Sequence, residues 1–179
     1  AILFGTRHAD ATEHQDGLIL AVAVESIVKL FAFLAVGFAV TFIYFGGPQD
    51  LIATAMANSQ VMAAYSYPTS IGTWIVLTML SGIAILMLPR QFHVTIVENR
   101  SDKELRTATW LFPLYLVAIN LFVVPVAYAG IVLVGDQTHA DLYVLSLPLM
   151  HGQDMLAMFA FIGGLSAATA MVIVACVAL

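Results

Sequence analysis

Charge is the scarcest property of this sequence. Charged side chains make up 9% of the 179 residues and hydrophobic side chains 61%, and the mean hydropathy is +0.98. A water-soluble domain has about a quarter charged residues, because its surface faces water. The composition therefore excludes an ordinary soluble domain and indicates a protein whose solvent is the lipid bilayer.

Cysteine is also nearly absent, and the usual chemical motifs are missing. The one cysteine, Cys176, lies in an apolar run, which excludes a disulfide within the chain and favours a packing role. The sequence has no basic patch with interleaved aromatic residues, so nothing in it indicates nucleic acid as a partner. The five histidines lack the helical spacing of a zinc motif, and no catalytic triad order or phosphate-binding loop is present. We therefore expect no catalytic residue, no metal ligand set and no cofactor within this chain.

Four long apolar runs are present, at residues 18–45, 71–88, 110–134 and 155–179. A helix needs about 20 mostly apolar residues to cross a bilayer, so the second run is short and the first is long enough to tilt. The runs are continuous, whereas the strands of a membrane barrel alternate apolar and polar residues. The sequence predicts an all-α polytopic membrane protein with four transmembrane helices.

The basic residues predict the orientation of these helices. Arg7 precedes the first run and four more basic residues lie between the second and third, whereas residues 46–70 and 135–154 contain no Lys or Arg. Short loops rich in Lys and Arg stay in the cytoplasm. Residues 1–17 and 89–109 are therefore predicted to be cytoplasmic, and the two acidic loops periplasmic.

The two predicted outer loops each contain a segment with two open interpretations. Residues 51–65 and 142–150 are either short helices that lie on the outer membrane surface or ordinary connecting loops.

Several polar residues lie inside the apolar runs. Glu25 and Lys29 are four residues apart, on one helix face and in the order that favours an ion pair. The pair is either a gate or coupling element that faces the protein interior, or a self-neutralised pair that holds the helix against its neighbours, and the second interpretation is favoured. In the third run, Asn120 is expected to bond to another helix and Pro125 to kink its own.

The fourth run contains a cluster of small residues at positions 163–170, which would let another backbone approach closely. Ser166 and Thr169 share a face there, so their hydroxyls could jointly coordinate a small hard cation. In the alternative interpretation without a cation, each hydroxyl donates a hydrogen bond to a carbonyl oxygen one turn earlier in its own helix.

Three segments resemble the sodium:solute symporter family. Gln91 and His93 match the family's Gly-Gln-Pro-His loop, although Val97 stands where the family has Arg. Residues 11–15 resemble its Trp-Thr-Asp…Gln loop, and residues 165–169 resemble the Met-Ser-Thr-x-Ser segment of the helix that gives hydroxyl ligands to sodium.

That last resemblance implies a sodium ligand in the fourth run. Ser166 carries over to a hydroxyl position of the family, Ala167 replaces the second hydroxyl residue, and Thr169 is the residue that could compensate. The resemblance therefore implies Na⁺ in the intact parent protein.

Three further segments, at residues 4–8, 25–30 and 88–93, resemble the symporter-like input module fused to bacterial sensor histidine kinases. The resemblance implies the fifth to eighth helices of a ten-helix inverted-repeat core in the inner membrane. The chain, residues 1–179, would then be a fragment of a histidine kinase. Its partners would be the lipid bilayer, a small solute, and the missing helices and kinase domains of the same chain. Two alternatives remain, a fragment of a true sodium-coupled symporter and a small four-helix structural membrane protein.

Overall fold

The computed structural model describes residues 16–66, 68–87, 101–135 and 139–178. All regular structure in these ranges is helical, which confirms the predicted all-α class for them. The helices are α1 (Asp16–Phe38, continued by a π-helical segment, Ala39–Tyr44), α2 (Pro48–Ala57), α3 (Ser59–Tyr65), α4 (Ile71–Met87), α5 (Asp102–Asn120), α6 (Val123–Leu133), a 3-10 turn (Ala140–Leu142), α7 (Tyr143–Met150) and α8 (Asp154–Ala178).

Three helical segments are long and apolar enough to cross a membrane. They are Leu20–Tyr44, Lys103–Leu133 and Asp154–Ile173, and they coincide with the first, third and fourth predicted runs. Helix α4 has 17 residues, a length of about 26 Å at about 1.5 Å per residue. A span needs about 20 residues, so α4, which corresponds to the second predicted run, stays a predicted transmembrane helix.

The third span is interrupted near its middle, as Pro125 predicts. Helix α5 ends at Asn120 and α6 begins at Val123, with a turn at Leu121 and Phe122 between them. Proline has no N–H to donate to the carbonyl oxygen four residues earlier, here that of Leu121. The predicted kink is confirmed as a break between two helices.

The two loop segments with open interpretations are helical. Residues 51–65 fall in α2 and α3, and residues 142–150 fall in the 3-10 turn and α7. Asn58 separates α2 from α3, and its side-chain oxygen accepts hydrogen bonds from two backbone N–H groups at the start of α3. Leu51 and Leu147 are buried, so these helices are packed into the fold.

A hydrophobic core lies where α1 ends and α2, α6 and α7 meet the start of α8. Its buried members are Val36, Val40, Phe45, Leu51, Val126, Ala129, Val134, Leu147 and Ala160. Elsewhere large apolar side chains are exposed, among them Trp74 and Leu80 of α4. This exposure is consistent with contact with lipid, because apolar side chains lose nothing by facing hydrocarbon. The fold therefore places its densest packing at the end of α1 that carries the acidic loops.

Candidate functional site

Helices α1 and α8 form the most extensive helix pair among the described residues, and glycine sets their closest approach. A Cβ atom on Gly163 would lie 2.6 Å from Cβ of Ala32 and 3.7 Å from Cα of Lys29. A Cβ on the next residue, Gly164, would meet nothing within 4 Å. Only Gly163 therefore faces α1, and the absence of its side chain lets the two backbones pack together.

A cavity of about 430 Å³ lies beside this crossing, between α1, the 3-10 turn with α7, and α8. Its walls are apolar except for two charged side chains, Lys29 from α1 and Asp141 from the 3-10 turn. The largest apolar residues that line it are Phe33, Leu142, Leu145, Phe161 and Leu165. This volume and this mixture of apolar walls with few polar groups are typical of small-molecule sites.

Glu25 and Lys29 share a helix, but the structure does not join them as predicted. Oε2 of Glu25 is buried and has no hydrogen-bond partner in the part of the chain that the structure describes. Lys29, one turn later, is half-buried and lines the cavity. Within the described residues no ion pair joins the two, and Lys29 instead lines the cavity together with Asp141.

The hydroxyls of Ser166 and Thr169 have different surroundings. Oγ of Ser166 donates to the backbone carbonyl oxygen of Glu25 at 3.3 Å, which links α8 to α1. Thr169 is exposed, and its hydroxyl donates to the carbonyl oxygen of Leu165 at 2.8 Å, one turn earlier in its own helix. Hard cations take about six or more oxygen ligands. The hydroxyl of Ser166 lies at the α1–α8 contact, whereas Thr169 makes the bond within its own helix that the alternative interpretation expects.

Asn120 also makes its hydrogen bond within its own helix. Its side-chain nitrogen donates to the carbonyl oxygen of Leu116 at 2.7 Å, and the residue is exposed. The expected bond to a second helix is therefore not what the structure shows. Asn is one of the short polar side chains that bond back to a carbonyl oxygen one turn earlier in the same helix.

A polar cluster at the C-terminal end of the π-helical continuation of α1 is not evident from the sequence. The hydroxyl of Tyr44 donates to Oε1 of Gln153 at 2.9 Å. The Tyr44 ring also stacks on the His151 ring, with centroids 3.8 Å apart and planes 3° from parallel. His151 Nδ1 lies 2.9 Å from the carbonyl oxygen of Leu147. These contacts tie the π-helical end of α1 to the junction of α7 and α8, and sequence spacing gives no signal for a pairing across so long a separation.

The remaining predicted residues and the comparisons with known proteins add little. Gln91 and His93 lie outside the described residues. Within the described ranges, no group of three or more His, Cys, Asp or Glu residues is placed to hold a metal ion. No family model, curated protein or solved structure matches the chain.

Proposed function

We propose that this chain belongs to the transporter-type membrane input module of a bacterial sensor histidine kinase, and that it binds a small solute in the cavity beside Lys29. The observation that carries the proposal is a largely apolar cavity of about 430 Å³ with a lysine in its wall. A charge placed inside a membrane span is costly and is the default mark of a functional site. The resemblance of residues 4–8, 25–30 and 88–93 to that module supports the kinase assignment.

The depth of the cavity in the span supports solute binding. Lys29 lies nine residues into the Leu20–Tyr44 span, or about 13 Å at about 1.5 Å per residue. That position is close to the middle of a hydrocarbon layer about 30 Å thick. Inverted-repeat transporters bind their solutes near the bilayer midplane, so the cavity lies at a depth that suits this function.

A true sodium-coupled symporter is the second candidate, favoured by one observation. Ser166, the residue that carries over to a sodium-ligand position, is half-buried against α1 with Glu25's carbonyl oxygen 3.3 Å away. The Ser166 hydroxyl of α8 and the Glu25 carbonyl oxygen of α1 are then close to each other at membrane depth. In both candidates the partners are lipid, a small solute and further helices of the same protein.

The test uses the full-length protein in proteoliposomes with ATP. We expect autophosphorylation that changes when a panel of small solutes is added. Gly164→Leu should abolish the solute response, because Gly164 lines the cavity and a side chain there has open space to occupy. Gly164→Ala, which fills far less of the cavity, should keep the response.

Other outcomes separate the alternatives. Solute uptake driven by a sodium gradient without any phosphorylation would favour the symporter. A protein that neither phosphorylates nor responds to or transports any solute would favour the structural role. A solute response that survives Gly164→Leu would place the binding site elsewhere in the protein.

The proposed inner-membrane topology makes a separate prediction. In a variant with Cys176→Ser, single cysteines at Gln49 and Ser101, both exposed, should react with an impermeant maleimide from opposite sides. Gln49 lies beside Asp50 in α2, in a stretch without Lys or Arg, and should label in intact cells, whereas Ser101 lies in the basic stretch and should label only after permeabilisation. Labelling of both in intact cells would contradict the topology.

A further inference from the structure

We propose that the cavity between α1, α7 and α8 binds a small zwitterion with an apolar side chain, with its carboxylate at Lys29 and its ammonium group at Asp141. The proposal rests on the proposed function, namely that this cavity holds a solute, and adds the chemical class of that solute. It follows from two opposite charges that face one apolar cavity.

Lys29 supplies the site for the carboxylate. Its side chain is half-buried in a span and lines the cavity, and within the described residues no carboxylate forms an ion pair with it. A partly desolvated ammonium group without a counter-charge is unfavourable. A solute carboxylate would restore a charge-assisted hydrogen bond there, which is stronger than a neutral one.

Asp141 supplies the opposite charge on another wall of the same cavity. It lies in the 3-10 turn Ala140–Leu142, which precedes α7, and it is exposed. It forms no ion pair with Lys29 in the described part of the chain, and both residues line the same cavity. A solute with both charges can therefore contact each of them from within the cavity.

The two charges together disfavour the simpler classes of solute. Asp141 repels an anion and Lys29 repels a cation, since like charges brought together are destabilising. A neutral solute leaves the half-buried Lys29 without a partner. A sugar would also leave its hydroxyls facing Phe33, Leu145 and Phe161, and polar groups buried without hydrogen bonds are costly. A zwitterion with an aliphatic or aromatic side chain satisfies both the charges and the walls.

The experiment measures binding to the full-length protein in nanodiscs. The probes are L-leucine and L-phenylalanine, each compared with an analogue that lacks the ammonium group (4-methylpentanoate, 3-phenylpropanoate) and one that lacks the carboxylate (3-methylbutylamine, 2-phenylethylamine). We expect at least one of the amino acids to bind about tenfold or more tightly than both of its analogues, because each analogue loses one charge-assisted hydrogen bond.

Two variants assign each charge to its residue. Lys29→Met should weaken the amino acid to the level of its amine analogue while leaving binding of that amine unreduced. Asp141→Asn should weaken the amino acid to the level of its carboxylate analogue. Binding of the retained analogue shows in each case that the variant is folded. Asp50→Asn is the matched control, because Asp50 is an exposed carboxylate of α2 outside the cavity lining, and it should leave every affinity unchanged.

The possible failures are distinguishable. The zwitterion proposal is overturned if an amino acid binds no more tightly than its carboxylate analogue. It is also overturned if Asp141→Asn leaves the amino-acid affinities unchanged. If neither amino acid binds but a neutral or singly charged solute gives a response that Gly164→Leu abolishes, the proposed function stands and the solute class is wrong. If amino acids bind with the expected selectivity and Gly164→Leu has no effect, the assignment to this cavity is wrong.

Discussion

Gly163→Ala is expected to destabilise the packing of α1 on α8 by about 1–3 kcal/mol, the usual cost of overpacking a close contact. The added methyl group would lie 2.6 Å from Cβ of Ala32, and a Cβ atom cannot move aside without its backbone. The helices must therefore separate at their crossing, with loss of contacts along the seam. The measurement is the free energy of unfolding of the full-length protein in bicelles, with unfolding monitored through a label placed on α8.

Gly164→Ala is the matched control for this prediction. The two glycines are adjacent in α8, and the same substitution at Gly164 places its methyl group where nothing lies within 4 Å. Replacing glycine by alanine in a helix is otherwise favourable by about 1 kcal/mol, so this variant should be as stable as the parent or slightly more so. Equal effects of the two substitutions would contradict the assignment of Gly163 to the α1–α8 contact.

This asymmetry between two adjacent glycines shows where prediction from sequence ends. The cluster of small residues at 163–170 indicates that α8 has a close helix neighbour, because small side chains allow backbones to approach. It does not indicate which neighbour, since that depends on where Ala32 of α1 is placed by the intervening helices. The break in the third span, in contrast, follows from Pro125 alone, because the missing N–H is a local property of the chain.

The candidate site also combines a residue that the sequence singles out with an environment that it does not predict. Lys29 could be singled out from the sequence because a charge inside an apolar run is conspicuous by itself. The environment of Lys29 could not be predicted in this way. Spacing along one helix suggested Glu25 as its partner, whereas in the structure Lys29 lines a cavity together with Asp141. Asp141 lies in an acidic loop and has no sequence feature that separates it from the other loop carboxylates. Only the return of the chain through the 3-10 turn and α7 brings it to α1.

The π-helical segment at the end of α1 is a second feature without a sequence signal. It places Tyr44 against Gln153 and His151, and Thr41 inside it is buried with its hydroxyl donating to the carbonyl oxygen of Gly37. A π-helical turn is less favourable than α-helix and is retained mostly where function or packing requires it. Here it contains the core residue Val40, so this end of α1 is held by side-chain contacts to distant residues.

Ser166→Ala is expected to abolish any sodium dependence of the solute response or of uptake, if the role implied by the symporter resemblance applies. Its hydroxyl is the one that lies in the α1–α8 seam, 3.3 Å from the carbonyl oxygen of Glu25. Thr169→Val is the matched control, because the Thr169 hydroxyl is exposed and bonded to its own helix. It should leave the sodium dependence intact. Ala167→Thr should increase the apparent sodium affinity, because it adds a hydroxyl at the position where the family has one. The measurement is the solute response of the full-length protein as a function of sodium concentration.

The opposite result has an equally definite physical interpretation. The bond from Ser166 to Glu25 connects two helices within a span, and such a bond contributes about 0.6 kcal/mol on average. If Ser166→Ala leaves a clear sodium dependence unchanged and only lowers the unfolding free energy by about that amount, Ser166 is a packing residue. Sodium would then bind elsewhere, and its ligands would be sought in other helices of the protein. A loss of sodium dependence in Thr169→Val but not in Ser166→Ala would instead mean that the exposed hydroxyl faces a helix of the protein, with the cation bound on that side of α8.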